Sequence, residues 1–504
     1  MCGMKFAFPE EILEVAAKLK ESRLSRPACR QAGGRQGFEA YLVGGCVRDL
    51  LIKKEPKDWD IATNAKPDEI QKVFPESVYE NDFGTVGVKT DSEDPKLKIV
   101  EVTTFRLDGE YTDKRHPDEV EFAENIKEDL SRRDFTINAM AIDLSDDSHG
   151  FVDPFGGQED LKKGLIRTVG DPEERFNEDA LRLMRAVRFA AETGFQIDFN
   201  TRRAIEKLAG LLEAIAKERI RDEFEKIIMS DGAAAGIILL EELDLLRYVM
   251  PELREGIGVR QNKHHIYTVF EHNVKSLDYS AGKNYSLEVR LASLLHDLGK
   301  PKAKRGEGPN STFYGHDVVG AKMAVKALER LRFSKNVIER VAHLIRYHMF
   351  YYNVGEVTEA GVRRFIARVS PETLPDLLKL READRIGSGV PKAVPYKMRH
   401  LLFMIEKVKK DPVSPKMLRV KGNDVMKILG LEPGPRVGQI LAILLEEVLD
   451  NPSLNDSKQL ESRMRELGGL SDAELSALSK KAKERKDEFQ EGIEEEMKEK
   501  FHVK

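Results

Sequence analysis

The chain is poor in cysteine: Cys2, Cys29 and Cys46 are the three in 504 residues, and they show no paired spacing. That excludes a disulfide framework or a cysteine zinc site and fits a reducing, cytoplasmic setting. Long apolar runs are missing too. The longest, residues 233–240, stops at Glu241 and Glu242, far short of the roughly 20 residues that span a bilayer. The N-terminal MCGMKFAFPEE has no apolar core of signal-peptide length, so no membrane partner is expected. A surplus of positive charge is also absent. The 82 Lys and Arg face 87 Asp and Glu, a net charge of −5, which rules out a chain-wide basic surface. Any grip on a polyanion must come from local clusters. Disorder is not the dominant state, because hydrophobic residues make up 41% of the chain.

What is present changes texture along the chain. Residues 9–24 read as an amphipathic helix, and the Gly/Arg/Gln-rich stretch 25–37 as an exposed loop. AYLVGG, FGTVGVKT and KIVEVTTF have the length and β-branched content of strands. Strands interleaved with helices are expected as far as Asp153, and the turn cluster VDPFGG (152–157) forms a natural boundary. Beyond Gly170 helical periodicity dominates, with seams at 251–263, 391–395 and 433–435. The expected division is a mixed α/β part over 1–155, then all-helical parts over 156–255, 256–395 and 396–504. The Lys/Glu-rich end, 479–504, reads as a solvated or frayed helix.

The first chemical constellation lies between Gly44 and Asp60. Gly44-Gly45 follows the strand YLV directly, where bare backbone N–H groups and a helix start can approach an anion. Arg48 adds a fork for phosphate oxygens. Asp58-Trp59-Asp60 leads into IATNA; on a strand, residues two apart share a face, so both carboxylates would meet one point. Two such charges are costly unless a cation lies between them, and Mg²⁺ suits one or two carboxylates plus substrate phosphates. Taken singly, a Gly-Gly turn is often only structural, and an Asp-x-Asp only a solvated edge.

As a set, in this order, these residues resemble the class II tRNA nucleotidyltransferases and bacterial poly(A) polymerases. GGxVRD followed by DxD matches at Gly44 to Asp49 and Asp58 to Asp60. The resemblance implies a polymerase-β-like nucleotidyltransferase head with a mixed sheet, a helical neck and a helical tail. Asp58 and Asp60 would be catalytic and hold Mg²⁺, with Glu101 in support. Gly44, Gly45, Arg48, Arg133, Asp134, Asp179, Arg182, Arg185 and Arg188 would bind the nucleotide. Arg133 and Asp134 stand in RRDFTIN (132–138), which offers a cationic fork for triphosphate and an acceptor for ribose hydroxyls. Asp179 and Arg182 stand in EDALR (178–182). On one helix they would share a face and imitate the edge of a base; a plain surface ion pair is the bland alternative. Residues 106–122 look like the family's flexible loop, which implies a role in switching from C to A. VDPFGG matches the family hinge, and 218–230 matches a neck helix. The resemblance runs from 40 to 255, and the stretch 25–37 departs from it as an insertion.

Histidine forms the second constellation. Seven of the eleven lie between His264 and His348, where even spacing would place about two. His296-Asp297, with His272 and Asp384, resembles the HD phosphohydrolase superfamily, and His316 and His348 match positions of its better-equipped members. The resemblance implies a divalent transition metal and phosphate-ester hydrolysis. His264, His265 and His343 read as ordinary. In the tail, GPRVG (434–438) leaves two readings open, Arg436 on an RNA phosphate or a plain packing turn.

The expected activity is template-independent addition of C, C and A to the 3′ end of tRNA from CTP and ATP. Poly(A) synthesis and A-only addition keep the same fold. A metal phosphohydrolase with an RNA-binding N-terminal half is the reading of another class. No protein partner is legible.

Overall fold

The computed structural model describes residues 8–22, 37–79, 84–108, 120–144, 149–261, 266–350, 352–482 and 484. The chain divides into two compact units, Met1–Pro251 and Glu252–Lys504. Most of the expected loop at 25–37, His264, His265 and nearly all of the Lys/Glu-rich end lie outside the described residues. So does the centre of the expected flexible loop at 106–122. No described helix is long and apolar enough to cross a membrane.

The first unit opens with the helix Glu10–Glu21 and is built on nine strands to Val152. These are β1 (Ala40–Val43), β2 (Asp60–Thr63), β3 (Ser77–Tyr79), β4 (Thr85–Lys89) and β5 (Ile99–Thr104), then β6 (Arg106–Asp108), β7 (Val120–Phe122), β8 (Ala141–Asp143) and β9 (Phe151–Val152). Seven form one sheet in the order β3-β4-β5-β2-β1-β8-β9, while β6 and β7 pair separately. The sheet is mixed: β2 and β5 run parallel, and β1 lies antiparallel to both β2 and β8. Alternation along the strands builds two cores. Leu42 of β1 and Ile61 of β2 bury into one face with Val100 and Ile142. Val43 and Ala62 bury into the other with Phe105, Leu130 and Ala141. The parity of β2 therefore puts Asp60 on the side of Ala62, at the strand's first residue.

The expected strand residue Asp58 lies before β2, in a bend. The register explains the difference. Val43 is the last residue of β1 and pairs with Asp60, after which Gly44 turns the chain with φ +80. Asp58 has no β1 residue left to pair with. Only glycine adopts that φ readily.

After β9, helices take over, interrupted by one short parallel pair, Leu165–Ile166 with Gln196–Ile197. The expected single helix through Asp179 and Arg182 is instead two, Pro172–Glu178 and Leu181–Thr193. Asp179 between them is extended (φ −134, ψ 103), and its Oδ1 accepts from the Leu181 N–H at 3.1 Å. Aspartate competes with the helical backbone in this way and favours helix starts over interiors.

The named elements of the second unit are all helices, with two isolated β-bridges, Arg260 with Thr268 and Arg305 with Thr312, among its described residues. A capping box of Thr268 and Glu271 starts the helix Val269–Gly282, with His272 in its first turn. That helix packs on Leu374–Gly387, which carries Asp384. The close approach depends on Gly387: a Cβ there would lie 2.8 Å from the His272 carbonyl oxygen and 3.0 Å from the Ser276 nitrogen. In the tail, Arg436 donates to the carbonyls of Gly468 and Leu470 and pairs with Asp472, which favours the packing reading of GPRVG. His343 meets the Val369 carbonyl at 2.7 Å, an ordinary structural contact.

Gly387→Ala should destabilise the second unit by about 1–3 kcal/mol, the usual cost of overpacking. Thermal unfolding of the purified variant measures it, and an unchanged midpoint would contradict this helix contact.

Candidate active site

In the first unit the ends of the central strands β1 and β2 and the helices after the sheet surround a cavity of about 730 Å³. Ten Lys or Arg and six Asp or Glu line it, a surplus of four positive charges in a chain whose net charge is −5. Gly44, Gly45, Arg48, Asp58, Asp60, Arg133, Asp134, Asp179, Arg182, Arg185 and Arg188 all belong to this lining, so residues up to 144 positions apart meet here. Glu101 does not line it, but pairs in register with Asp60 across β2 and β5.

Most of the cavity arginines are held by specific partners. Asn125 caps the helix Ile126–Ser131, whose end places Arg132 and Arg133 at the cavity. Buried Asp129 accepts from both: Arg132 Nη2 at 2.7 Å and Arg133 Nη2 at 3.0 Å. Asp134 accepts from Arg185 Nε at 2.7 Å and from Asn138 Nδ2 at 3.2 Å. Asn138 in turn accepts from Arg48 Nη1 at 2.9 Å. Burial would push the Asp134 carboxyl up, but the Arg185 and Arg182 charges and these hydrogen bonds hold it down at about 2.

Asp179 and Arg182 both face the cavity but do not share one helix. Asp179 receives a two-pronged contact from Arg219, at 3.2 and 2.9 Å. Arg182 binds Glu178 at 2.6 Å and the Arg132 carbonyl at 3.0 Å. Phe189 is a wall shared by three guanidiniums: those of Arg188, Arg185 and Arg48 lie 4.1, 5.2 and 5.2 Å from its ring centre. Asp129, Phe189 and Arg219 were missed in the sequence. Asp129 stands three residues before the RRDFTIN pair, the one local signal among them.

The acidic pair is different. Neither Asp58 nor Asp60 forms an ion pair with a described residue. Burial, then the charges of Asp58 and Glu101, push the Asp60 carboxyl up to about 7, opposed by Arg133. The group is short of positive charge, which a divalent cation would supply, so the donors fit one. A Cβ on Gly44 would stand 3.4 Å from Asp60 Oδ2 and 3.1 Å from Arg133 Nη1, so the bare turn keeps the space between them open.

The second unit assembles the six expected HD residues into one buried cluster. His272 Nε2 and His296 Nε2 are 2.9 Å apart, and His316 Nε2 and His348 Nε2 are 3.3 Å apart. Asp297 reaches both pairs: Oδ2 lies 3.2 Å from His272, and Oδ1 lies 3.3 Å from His316. Asp384 Oδ1 lies 3.4 Å from His272. The Nδ1 atoms of His296, His316 and His348 each face the carbonyl three residues earlier, at 3.0, 2.8 and 2.7 Å. A carbonyl only accepts, so Nδ1 carries the proton and Nε2 turns a lone pair inward in the neutral ring. Converging lone pairs and carboxylates are the donor set of a metal ion, and two subsets, His272/His296/Asp384 and His296/Asp297/His348, are close enough to hold one. Lys300 also contacts Asp297, at 2.6 Å.

A mixed sheet that brings a Gly-Gly turn and an aspartate pair to an arginine-lined cavity defines a nucleotidyltransferase. Residues 40–167 match the poly A polymerase head domain, 194–257 the probable RNA- and SrmB-binding site of polymerase A, and 269–386 the HD domain. An A-adding tRNA nucleotidyltransferase of Deinococcus radiodurans is 36% identical over 81% of this chain and 91% of its own. A CCA-adding enzyme of a Geobacillus species is 34% identical over 84% and 92%. A CC-adding tRNA nucleotidyltransferase of Thermus thermophilus is 36% identical over 81% and 89%. A solved Bacillus stearothermophilus CCA-adding enzyme in complex with CTP matches 91% of this chain and 96% of its own at 28% identity, with a TM-score of 0.65. The chain belongs to this tRNA nucleotidyltransferase family, in its HD-containing form.

The Asp134 contacts carry a pH signature. A carboxyl depressed from 3.8 to about 2 adds roughly 2 kcal/mol of stability, present above about pH 4 and lost as pH falls through about 2. Asp134→Asn should therefore unfold more easily at pH 7, with a gap to the parent that narrows on acidification. Urea midpoints at stepped pH measure it; a gap independent of pH would contradict the assignment.

Proposed function

We propose that the protein adds C, C and A to the 3′ end of tRNA, using CTP and ATP and releasing pyrophosphate. The observation that carries the reading is the single cavity holding both the aspartate pair and the Asp179–Arg182 donor–acceptor pair. The Geobacillus CCA-adding relative, matched over 92% of its length, supports the product. The division into head (1–155), neck (156–255), HD domain (256–395) and tail (396–504) belongs to the same proposal.

Asp58 and Asp60 hold Mg²⁺, in keeping with their shortage of positive charge. Such an ion, when bound, lowers the pKa of an attacking hydroxyl and neutralises charge on leaving pyrophosphate. The terminal hydroxyl of the RNA attacks the α-phosphate in line. Arg133, fixed by Asp129, and Arg185, fixed by Asp134, offer preset donors to the triphosphate. Gly44 and Gly45 leave room for the phosphates beside Arg48. Asp134 serves the ribose from within its arginine and asparagine contacts.

Base choice falls to Asp179 and Arg182. C and A each present an amino donor beside a ring-nitrogen acceptor on the pairing edge, and U and G present the reverse. A carboxylate acceptor beside a guanidinium donor accepts the first pair and leaves the second with opposed like groups. Arg188, anchored on Glu223 at 3.2 Å, extends the basic wall.

The test is extension of tRNA lacking its 3′ end, resolved to one nucleotide. With CTP and ATP the expected product is three nucleotides longer. Asp58→Ala with Asp60→Ala should abolish extension, a loss of at least about a thousandfold if metal and positioning both fail. One added A, two added C, or unlimited A from ATP alone would instead assign A-adding, CC-adding or poly(A) activity. No extension at all would sink the reading.

The convergent lone pairs favour a second activity beside the first. We propose that His272, His296, Asp297, His316, His348 and Asp384 hold a divalent transition metal and serve hydrolysis of a phosphate ester. Such an ion, when bound, supplies hydroxide at neutral pH. Metal-dependent release of phosphate, or opening of a 2′,3′-cyclic phosphate, should survive Asp58→Ala with Asp60→Ala and vanish with His296→Ala. Release that persists in His296→Ala would remove the HD cluster from the reaction.

A further inference from the structure

The helix Tyr396–Val408 has two unlike faces. Met398, Leu401, Met404 and Val408 are buried, and the helix packs on Glu359–Val369. Tyr396, His400 and Phe403 recur at four- and three-residue spacing, which lines them up on the other side. Tyr396 and Phe403 are 62% and 61% exposed. Large aromatics this open are the informative exception on a folded surface. The rings form a ladder: Tyr396 and His400 have centres 6.2 Å apart, and His400 and Phe403 6.0 Å. Tyr352 Oη lies 2.5 Å from His400 Nδ1 and fixes the middle ring.

The segment that carries the ladder is rich in cations, of which Lys407 pairs with Glu359 of the neighbouring helix and Lys409 with Glu406. Residues 387–410 hold six Lys or Arg and one Glu, a net +5 in a chain whose total is −5. The Arg399 guanidinium lies 6.0 Å from the Tyr396 ring centre. Lysine is depleted in protein-docking faces, whereas open rings flanked by cations are what single-stranded nucleic acid requires. Each base has a face to stack, and each phosphate a charge to pair.

We propose that Tyr396, His400 and Phe403 form a stacking platform for unpaired bases of the RNA substrate. The inference rests on the RNA reading above and adds a binding surface to it that none of the motifs marks.

The experiment uses the full chain and fluorescent tRNA lacking its 3′ end. Tyr396→Ala and Phe403→Ala should each weaken binding by about 5- to 150-fold, the span of one lost base stack. KM for tRNA should rise in step, with KM for CTP and kcat at saturating tRNA unchanged. Phe403→Trp should keep parental affinity, and Phe403→Leu should behave like the alanine variant, because leucine keeps the apolar area without a π face. Both side chains are exposed, and circular dichroism checks that the variants fold.

Parental affinity in the alanine variants overturns the platform, as does full rescue by Phe403→Leu, which marks apolar docking of a protein. A parent dimer, seen by light scattering, that the alanine variants dissociate also overturns it and assigns the face to a second copy of the chain. Binding that responds as expected in a protein that extends no tRNA supports the platform and overturns the CCA reading. Extension of tRNA with unaltered binding in the variants overturns the platform alone.

Discussion

The cavity of the first unit depends on one constraint: a guanidinium taken out of water must be met by a carboxylate or a π face. Asp129 meets Arg132 and Arg133, Asp134 meets Arg185, Asp179 meets Arg219, and Glu223 meets Arg188, while Phe189 serves three guanidiniums at once. Buried pairs of this kind are weak stabilisers overall, since desolvation offsets much of the attraction. Their product is position. Donors that are already fixed cost no reorganisation when a charged ligand arrives. The same matching leaves Asp58 and Asp60 out, and that imbalance gives the cavity its own demand for a cation.

The HD cluster solves a related problem with lone pairs. Its histidines sit where helices begin or end: His316 opens one helix, and His296 and His348 close two others. There each imidazole turns back on the carbonyl three residues earlier, which sets its tautomer. One local device, used three times, aims three nitrogens at Asp297. Helix ends, not helix faces, make this centre.

Sequence patterns carried several strands of the sheet and the Gly-Gly turn, because each has a local signature: β-branched runs, and glycine beside a strand end; the six HD residues came by resemblance, since only His296-Asp297 has a mark of its own, at a helix end. Patterns failed where the cause lies outside the segment. EDALR has helical spacing, and nothing inside it marks Asp179 as the cap that separates two helices. Asp58 sits two residues from Asp60, but the partner strand decides where β2 starts, and β1 ends opposite Asp60. Arg219 meets Asp179 across 40 residues, and Phe189 reads as one more core aromatic on an amphipathic helix. Register and long-range ion pairing are tertiary facts, and periodicity does not contain them.

The relatives named for adding A, CC and CCA stand at 36, 36 and 34% identity to this chain, so overall likeness does not separate the products. All three additions need the same phosphate chemistry, and on the proposed reading the arginine frame would serve phosphates alike whatever the base. A difference in product must act on the base edge or on the RNA end. Net charge misleads in the same way. The cavity carries a surplus of four positive charges and residues 387–410 a surplus of five, so the rest of a chain at −5 carries fourteen net negative charges. A polyanion therefore responds to local charge and not to the chain total. An acidic chain can thus be more selective for where it binds RNA than a basic one.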